Sequence, residues 1–259
     1  MARYQVILAY DGAGFFGFQR QARGPKQRTV QAVVEAALQQ LGWQGKTILA
    51  SGRTDTGVHA SGQVIAFDLD WAHTPQALRA ALNAHLPPDV AVQSVRLAAA
   101  DFHPRYAALA RRYRYRLFCQ PVRNPLRERY AWRVWPAVDL QRMKLASSDL
   151  LGTHDFAAFG TPPRTGGSTL RTVTGAEWIS LPPDELAFEI VANAFLYRMV
   201  RRLVGFLVAV GQGMQSPEAM RECLQGGSKT LVQSLAPPHG LTLVEVTYRD
   251  NLQLEAIMS

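Results

Sequence analysis

Residues 4–42, YQVILAYDGAGFFGFQRQARGPKQRTVQAVVEAALQQLG, decide between two unrelated folds. Tyr4 to Tyr10 reads as a buried strand, rich in apolar and β-prone residues. Gly12-Ala13-Gly14-Phe15-Phe16-Gly17 then matches the G-x-G-x-x-G of a dinucleotide-binding turn. Such a turn needs its third glycine to enter a helix at once, so that the helix N-terminus meets the pyrophosphate. Here Phe18, Gln19 and a basic loop, Arg20 to Arg28, intervene. The helix can start only after Thr29, a capping residue. It continues through Val30, Val33, Val34, Ala37, Leu38 and Leu41 at i, i+3, i+4 spacing, and Gly42 ends it. The dinucleotide reading therefore fails, and the glycines remain as a turn or as a loop over a substrate cleft.

Working outward, strands are expected around Thr47–Ser51 and Gln63–Leu69. A helix follows from Pro75 to Leu86, stopped by Pro87 and Pro88, and then a strand from Ala91 to Leu97. The order β-α-β-β-α-β is that of a ferredoxin-like unit. It recurs downstream. Tyr113 to Phe118 reads as a strand, Asp139 can cap a helix to Leu151, and strands follow at Val173–Ser180 and Leu186–Val191 around the turn residues Pro182, Pro183 and Asp184. Helices at Leu196–Val210 and Pro217–Leu224 precede a last strand, Leu241–Tyr248. The expected class is α+β: two ferredoxin-like halves with an antiparallel or mixed sheet, residues 1–104 and 105–259, the second with a loop insertion near 152–172. RNA-binding modules of similar order stack bases on their open sheet face, although fold alone does not choose a function.

The 28 Lys and Arg outnumber the 20 Asp and Glu, for a net charge of +8, which suits a polyanionic partner such as nucleic acid. Solubility charge in an arginine-rich host is the alternative, and the balance of charge favours nucleic acid over it. Arginines cluster at 111, 112, 114 and 116, at 123, 127, 129 and 133, and at 198, 201 and 202, and guanidinium groups suit phosphate. Two cysteines, Cys119 and Cys223, exclude a disulfide framework or a four-thiolate zinc site. The six histidines show no metal-binding spacing. Asp68 and Asp70 point to one face of a strand and could hold Mg²⁺, though a solvated edge is the simpler reading. There is neither a G-x-S-x-G nor a P-loop. The opening Met-Ala-Arg-Tyr-Gln-Val lacks the apolar run of a signal peptide, and Leu203–Val210 is too short to span a membrane. A soluble cytoplasmic protein is expected.

Between two expected strands stands Ser51-Gly52-Arg53-Thr54-Asp55-Thr56-Gly57-Val58-His59-Ala60-Ser61-Gly62-Gln63. Its glycines allow tight turns, and a loop at strand ends is where a rigid scaffold commonly mounts functional groups. Asp55 could equally be an Asx-turn residue bonding its own backbone. Residue chemistry alone leaves both open.

This stretch resembles the G-R-T-D-x-G-V-H-A signature of TruA-type tRNA pseudouridine synthases. The resemblance covers nearly the whole chain. It includes Tyr10-Asp11-Gly12, Gly17-Phe18-Gln19, Phe102-His103-Pro104-Arg105-Tyr106 and Arg111-Arg112-Tyr113-Arg114-Tyr115. It continues through Leu151-Gly152-Thr153-His154-Asp155-Phe156, Asn193-Ala194-Phe195-Leu196-Tyr197, Met199-Val200-Arg201 and Ala236-Pro237-Pro238-His239-Gly240-Leu241. Phe18 replaces the usual Trp, and Pro104 and Tyr106 stand where Ala and Phe are common, which affects local packing and not chemistry.

The resemblance implies a pseudo-symmetric pseudouridine synthase fold with its active-site cleft between the halves. It also implies isomerisation of uridine at positions 38, 39 and 40 of the tRNA anticodon stem-loop, by a homodimer, with no cofactor, no metal and no membrane partner. Asp55 would be the nucleophile, Tyr113 would contact the flipped base, and Arg201 would pair with Asp55. Arg53 would support the loop or the substrate backbone, and Leu243 would give an apolar contact near the base. The residues suit these roles. Arg201 borders the apolar stripe Leu203, Val204, Leu207 and Val208, and a neighbouring arginine keeps a carboxylate ionised. Tyr113 offers an aromatic face and a hydroxyl, though without the resemblance it reads as a core tyrosine. Arg198 and Arg202 touch RNA or only water. A noncatalytic RNA-binding module would explain charge and fold but not Arg53, Asp55 and Arg201. A metal-dependent nuclease would use Asp55, Asp68 and Asp70 and would be sensitive to EDTA.

Overall fold

The apolar run at the start of the chain forms β1 (Ala2–Tyr10), in which Tyr4, Val6, Leu8 and Tyr10 turn inward. The computed structural model describes residues 1–21, 27–226 and 232–249, so positions 22–26 of the expected basic loop lie outside the described residues. Thr29 caps α1 (Val30–Gln40) by accepting the Ala32 N–H, and Val30, Val34, Ala37 and Leu38 are its buried face. β2 (Leu49–Ala50) is shorter than expected. The Ile48 N–H is taken by the buried Glu35 carboxylate (3.2 Å) and not by a strand neighbour. β3 (His59–Leu69) begins four residues before the expected Gln63. It runs antiparallel to β1, with Leu8 opposite Gln63 and, across a register shift, Tyr10 opposite Ala60. α2 (Pro75–His85), capped by Thr74, leads to β4 (Val90–Leu97), antiparallel to the other side of β1.

The second unit opens with β5 (Ala110–Cys119) and β6 (Trp132–Val134), a short strand parallel to β5 that sequence periodicity did not reveal. Asp139 caps α3 (Leu140–Ser148) by accepting the N–H groups of Gln141 and Arg142. The expected insertion near 152–172 is not all loop. It contains β7 (Gly152–Asp155), antiparallel to β8 (Leu170–Leu181), where Thr153 and Thr172 share a hydroxyl hydrogen bond of 2.8 Å. β9 (Glu185–Ala192) lies between β8 and β5. α4 (Met199–Gly211) starts three residues later than the apolar pattern suggests. Arg198 adopts φ 61°, a left-handed conformation that cannot continue a helix backwards. α5 (Ala219–Leu224) follows, and β10 (Leu241–Thr247) closes the series.

The chain is of the α+β class, and it divides into Met1–Leu109 with Leu243–Ser259, and Ala110–Thr242. In the first unit the strand order is β4-β1-β3-β10, with β2 also on β3; in the second it is β5-β9-β8-β7, with β6 on β5. The division falls after Leu109, not after residue 104, and the returning chain from Leu243 groups with the first unit. Besides the place of β10 next to β3, two bonds join these stretches. The Leu109 N–H donates to the Thr247 carbonyl (2.8 Å), and the Tyr248 hydroxyl donates to the Pro104 carbonyl (2.8 Å). No helix among the described residues is long and apolar enough to cross a membrane.

Candidate active site

The early start of β3 leaves residues 51–58 as a tight loop between β2 and β3. Ser51 and Thr54 are buried, Arg53 is exposed, and Asp55 is half-buried. The main chain holds the loop: the Val58 N–H donates to the Asp55 carbonyl (3.2 Å) and the Phe18 N–H to the Thr54 carbonyl (3.1 Å). The Gly57 N–H donates to the Phe15 carbonyl (3.3 Å).

Those last two bonds come from the glycine-rich segment after β1, which packs directly against the Asp55 loop. A Cβ on Gly12 would sit 2.1 Å from the Val58 carbonyl oxygen, and one on Gly17 would sit 2.9 Å from that of Thr54. Gly17 also has φ +85°, a conformation that disfavours side chains. These glycines thus permit a close main-chain approach, a role that the motif pattern did not distinguish from a simple turn. The Gly12 N–H donates to Nδ1 of the buried His59 (3.0 Å), which itself lies 3.1 Å from the Asp11 carboxylate.

Beneath the loop lies a polar cluster that the sequence reading missed. The Tyr10 hydroxyl and Thr54 Oγ1 share a hydrogen bond of 2.8 Å. Gln63, fully buried, accepts from the Ser51 hydroxyl (2.6 Å) and donates to the Gly52 carbonyl (3.1 Å). Burial pushes the Tyr10 hydroxyl up to about 12, with hydrogen bonds to Thr54 and Gln63 pulling the other way. It therefore stays protonated across the working range of pH. The only signal available in sequence was that Tyr10 and Gln63 sit at the ends of strands flanking the motif.

In the second unit, alternation along β5 sends Tyr113, Tyr115 and Leu117 to one side and Arg112, Arg114 and Arg116 to the other. Tyr113 is half-buried and meets Phe195 edge-on, ring centres 5.0 Å apart. The arginine face is largely engaged in ion pairs across β5 and β9. Arg114 Nε donates to Glu189 (2.6 Å), Arg116 to Glu185 (3.0 Å), and Arg127 pairs with Asp184 (2.9 Å). Arg133 likewise pairs with Glu128 (3.2 Å). Much of the cluster that suggested phosphate binding therefore balances acidic residues of its own unit.

Arg201 is buried on α4, only 9% exposed. Its Nε donates to the Ala236 carbonyl (2.8 Å), and the Ala236 N–H returns a bond to the Arg201 carbonyl (3.0 Å). The next residue, Pro237, accepts from the Tyr115 hydroxyl (2.8 Å). Burial raises the Tyr115 hydroxyl well above its ordinary value, opposed by the charge of Arg201. The Ala236–Gly240 segment is thereby fixed against α4 and β5. Arg198 is exposed and lies over the Tyr197 ring, 4.8 Å from its centre. Of the remaining candidates, Leu243 on β10 is buried. Asp68 is bound by Arg3 (2.8 Å), which holds its carboxyl below the usual range, and so does not stand beside Asp70 as a cation site. Among the described residues, no group of three or more His, Cys, Asp or Glu side chains could hold a metal ion. Asp55, Arg53 and Leu243 belong to the first unit, and Tyr113 and Arg201 to the second.

A family model described as tRNA pseudouridine synthase matches residues 6–107 and 146–249. The chain is 42% identical over 251 residues to the tRNA pseudouridine synthase A of Shouchella clausii, covering 96% of this chain and 94% of that protein. It is 40% identical to the protein of that name from Streptococcus equi, covering 96% and 100%, and 37% identical to that from Leuconostoc citreum, covering 97% and 99%.

Proposed function

The chain belongs to the tRNA pseudouridine synthase family, and from that premise we propose that it isomerises uridine at positions 38, 39 and 40 of the tRNA anticodon stem-loop, with Asp55 as nucleophile. Support comes above all from the Asp55 loop. A carboxylate two residues from an exposed arginine is carried on a turn closed by its own main chain and buttressed by a second loop. Such rigidity suits a group that must meet one reacting atom.

The reaction detaches uracil N1 from the ribose C1′ and joins C5 to the same carbon. The C5 proton is lost and N1 gains one, so the change is an isomerisation without net redox. The target nucleotide must leave its stack to reach the carboxylate, and Asp55 then supplies the anionic nucleophile. On the resemblance, Arg201 is assigned as its counter-charge, because an adjacent arginine favours the ionised carboxylate. Tyr113, supported at its edge by Phe195, is assigned to the face of the flipped base. Arg53, exposed on the loop, is assigned to the substrate backbone, and Leu243 to an apolar contact near the base. On this reading the two units are ferredoxin-like halves of a pseudo-symmetric fold, and the enzyme works in the cytoplasm as a homodimer.

The test is incubation of the protein with tRNA carrying labelled uridine, followed by nucleoside mapping of the anticodon arm. New pseudouridine at positions 38–40 is the expected result, and its absence there contradicts the assignment.

A further inference from the structure

We infer that Tyr10 is a positioning residue for the reaction, its hydroxyl fixing the Asp55 carboxylate through Thr54. The inference rests on the assignment of Asp55 as nucleophile.

Asp55 has a rigid main chain on its C-terminal side, where its carbonyl accepts from Val58. On the N-terminal side the chain passes through Thr54, whose carbonyl is held by Phe18 and whose hydroxyl is held by Tyr10. Tyr10 is the last residue of β1 and only 4% exposed. Its hydroxyl also faces Gln63, which grips Ser51 and Gly52 at the start of the same loop. One buried cluster therefore ties Ser51, Gly52 and Thr54 to the sheet, while Arg53 between them points to solvent.

A plain core tyrosine needs only some partner for its hydroxyl. This one bonds the residue adjacent to the proposed nucleophile, from a strand that pairs directly with β3. Because displacements of about 1 Å at a reacting group can cost roughly 100-fold in rate, loss of this bond should appear in turnover before it appears in binding.

The experiment measures kcat, KM, tRNA affinity and thermal stability for Tyr10→Phe, Thr54→Val, Thr54→Ser and the double variant Tyr10→Phe/Thr54→Val. Tyr10→Phe and Thr54→Val should each lower kcat by roughly 10- to 100-fold, with KM and tRNA affinity within about twofold of wild type. Thr54→Ser keeps the hydroxyl and should recover most of what Thr54→Val loses. The double variant should be as slow as the single ones, neither worse nor recovered, because both changes remove the same bond.

A merely structural hydroxyl predicts otherwise: with both hydroxyls gone neither is left unpaired, and only Gln63 loses a bond to Tyr10, so the double variant would regain stability and turnover together relative to Tyr10→Phe. That outcome, or wild-type kcat in Tyr10→Phe, overturns the inference. If Asp55→Asn is inactive in the same assay, the assignment of Asp55 survives that failure. If Asp55→Asn keeps full activity, the assignment and this inference fall together.

Discussion

Asp55 is held by the main-chain bonds of an irregular turn, whereas Arg201 is held from a helix by its own backbone and by its Nε bond to Ala236. The two therefore respond differently to substitution. Arg201→Met preserves helix propensity and suits the apolar neighbours on α4, but it leaves the Ala236 carbonyl without that donor. An unsatisfied buried acceptor costs about 1–3 kcal/mol. On the proposed pairing, Asp55 also loses its counter-charge, so kcat should fall by roughly 100-fold or more. Thermal unfolding and single-turnover kinetics on the same preparation separate the two effects. Wild-type turnover in a destabilised variant would leave Arg201 with a structural role only.

Among the elements, the turn between β1 and α1 is tied down by Arg28 and Asp89, which form two bonds of 2.6 and 2.8 Å. Arg28 also lies over the Phe15 ring, and the Asp89 carbonyl accepts the Asp11 N–H. The hydrogen bond from Arg28 holds the Asp89 carboxyl below its ordinary 3.8. A depressed folded value means that this stabilisation is complete above about 3.8 and is lost as pH falls through the folded value. Both side chains are partly exposed, so the contribution is at most about 1 kcal/mol. Urea unfolding between pH 6 and pH 3 should show a shallower acid loss for Asp89→Asn than for wild type, and parallel curves would remove the pair from the account.

Periodicity and capping residues located these elements well where the local signal was strong. Thr29 and Asp139 both cap the helices they were expected to cap. Tertiary partners decided the rest. Glu35 shortened β2, the left-handed Arg198 delayed α4, and β6 and β7 are too short to carry a pattern of their own. For the site, the Asp55 motif was legible as a stretch of residues. The bond from Tyr10 to Thr54 was not, because it joins positions 44 residues apart.

At the scale of the whole molecule, the excess of arginine carries a narrower meaning than its count suggests. The net charge of +8 should still draw a polyanion, but Arg114 and Arg116 are balanced by Glu189 and Glu185. Binding of tRNA should weaken with salt, log K falling by roughly 0.7 per log salt for each phosphate neutralised in single-strand-like contacts. Arg53→Gln should reduce that slope by about one phosphate, while Arg116→Gln should leave it unchanged. Equal slopes for the two variants would refute this division of labour.

The most direct test of catalysis itself is Asp55→Asn. Asparagine has nearly the same shape and can support a turn, but it cannot serve as an anionic nucleophile. Pseudouridine formation and filter binding of tRNA at fixed salt are measured together on this variant. No product is expected, with affinity equal to wild type or slightly higher; product formed at the wild-type rate would exclude Asp55 as the nucleophile.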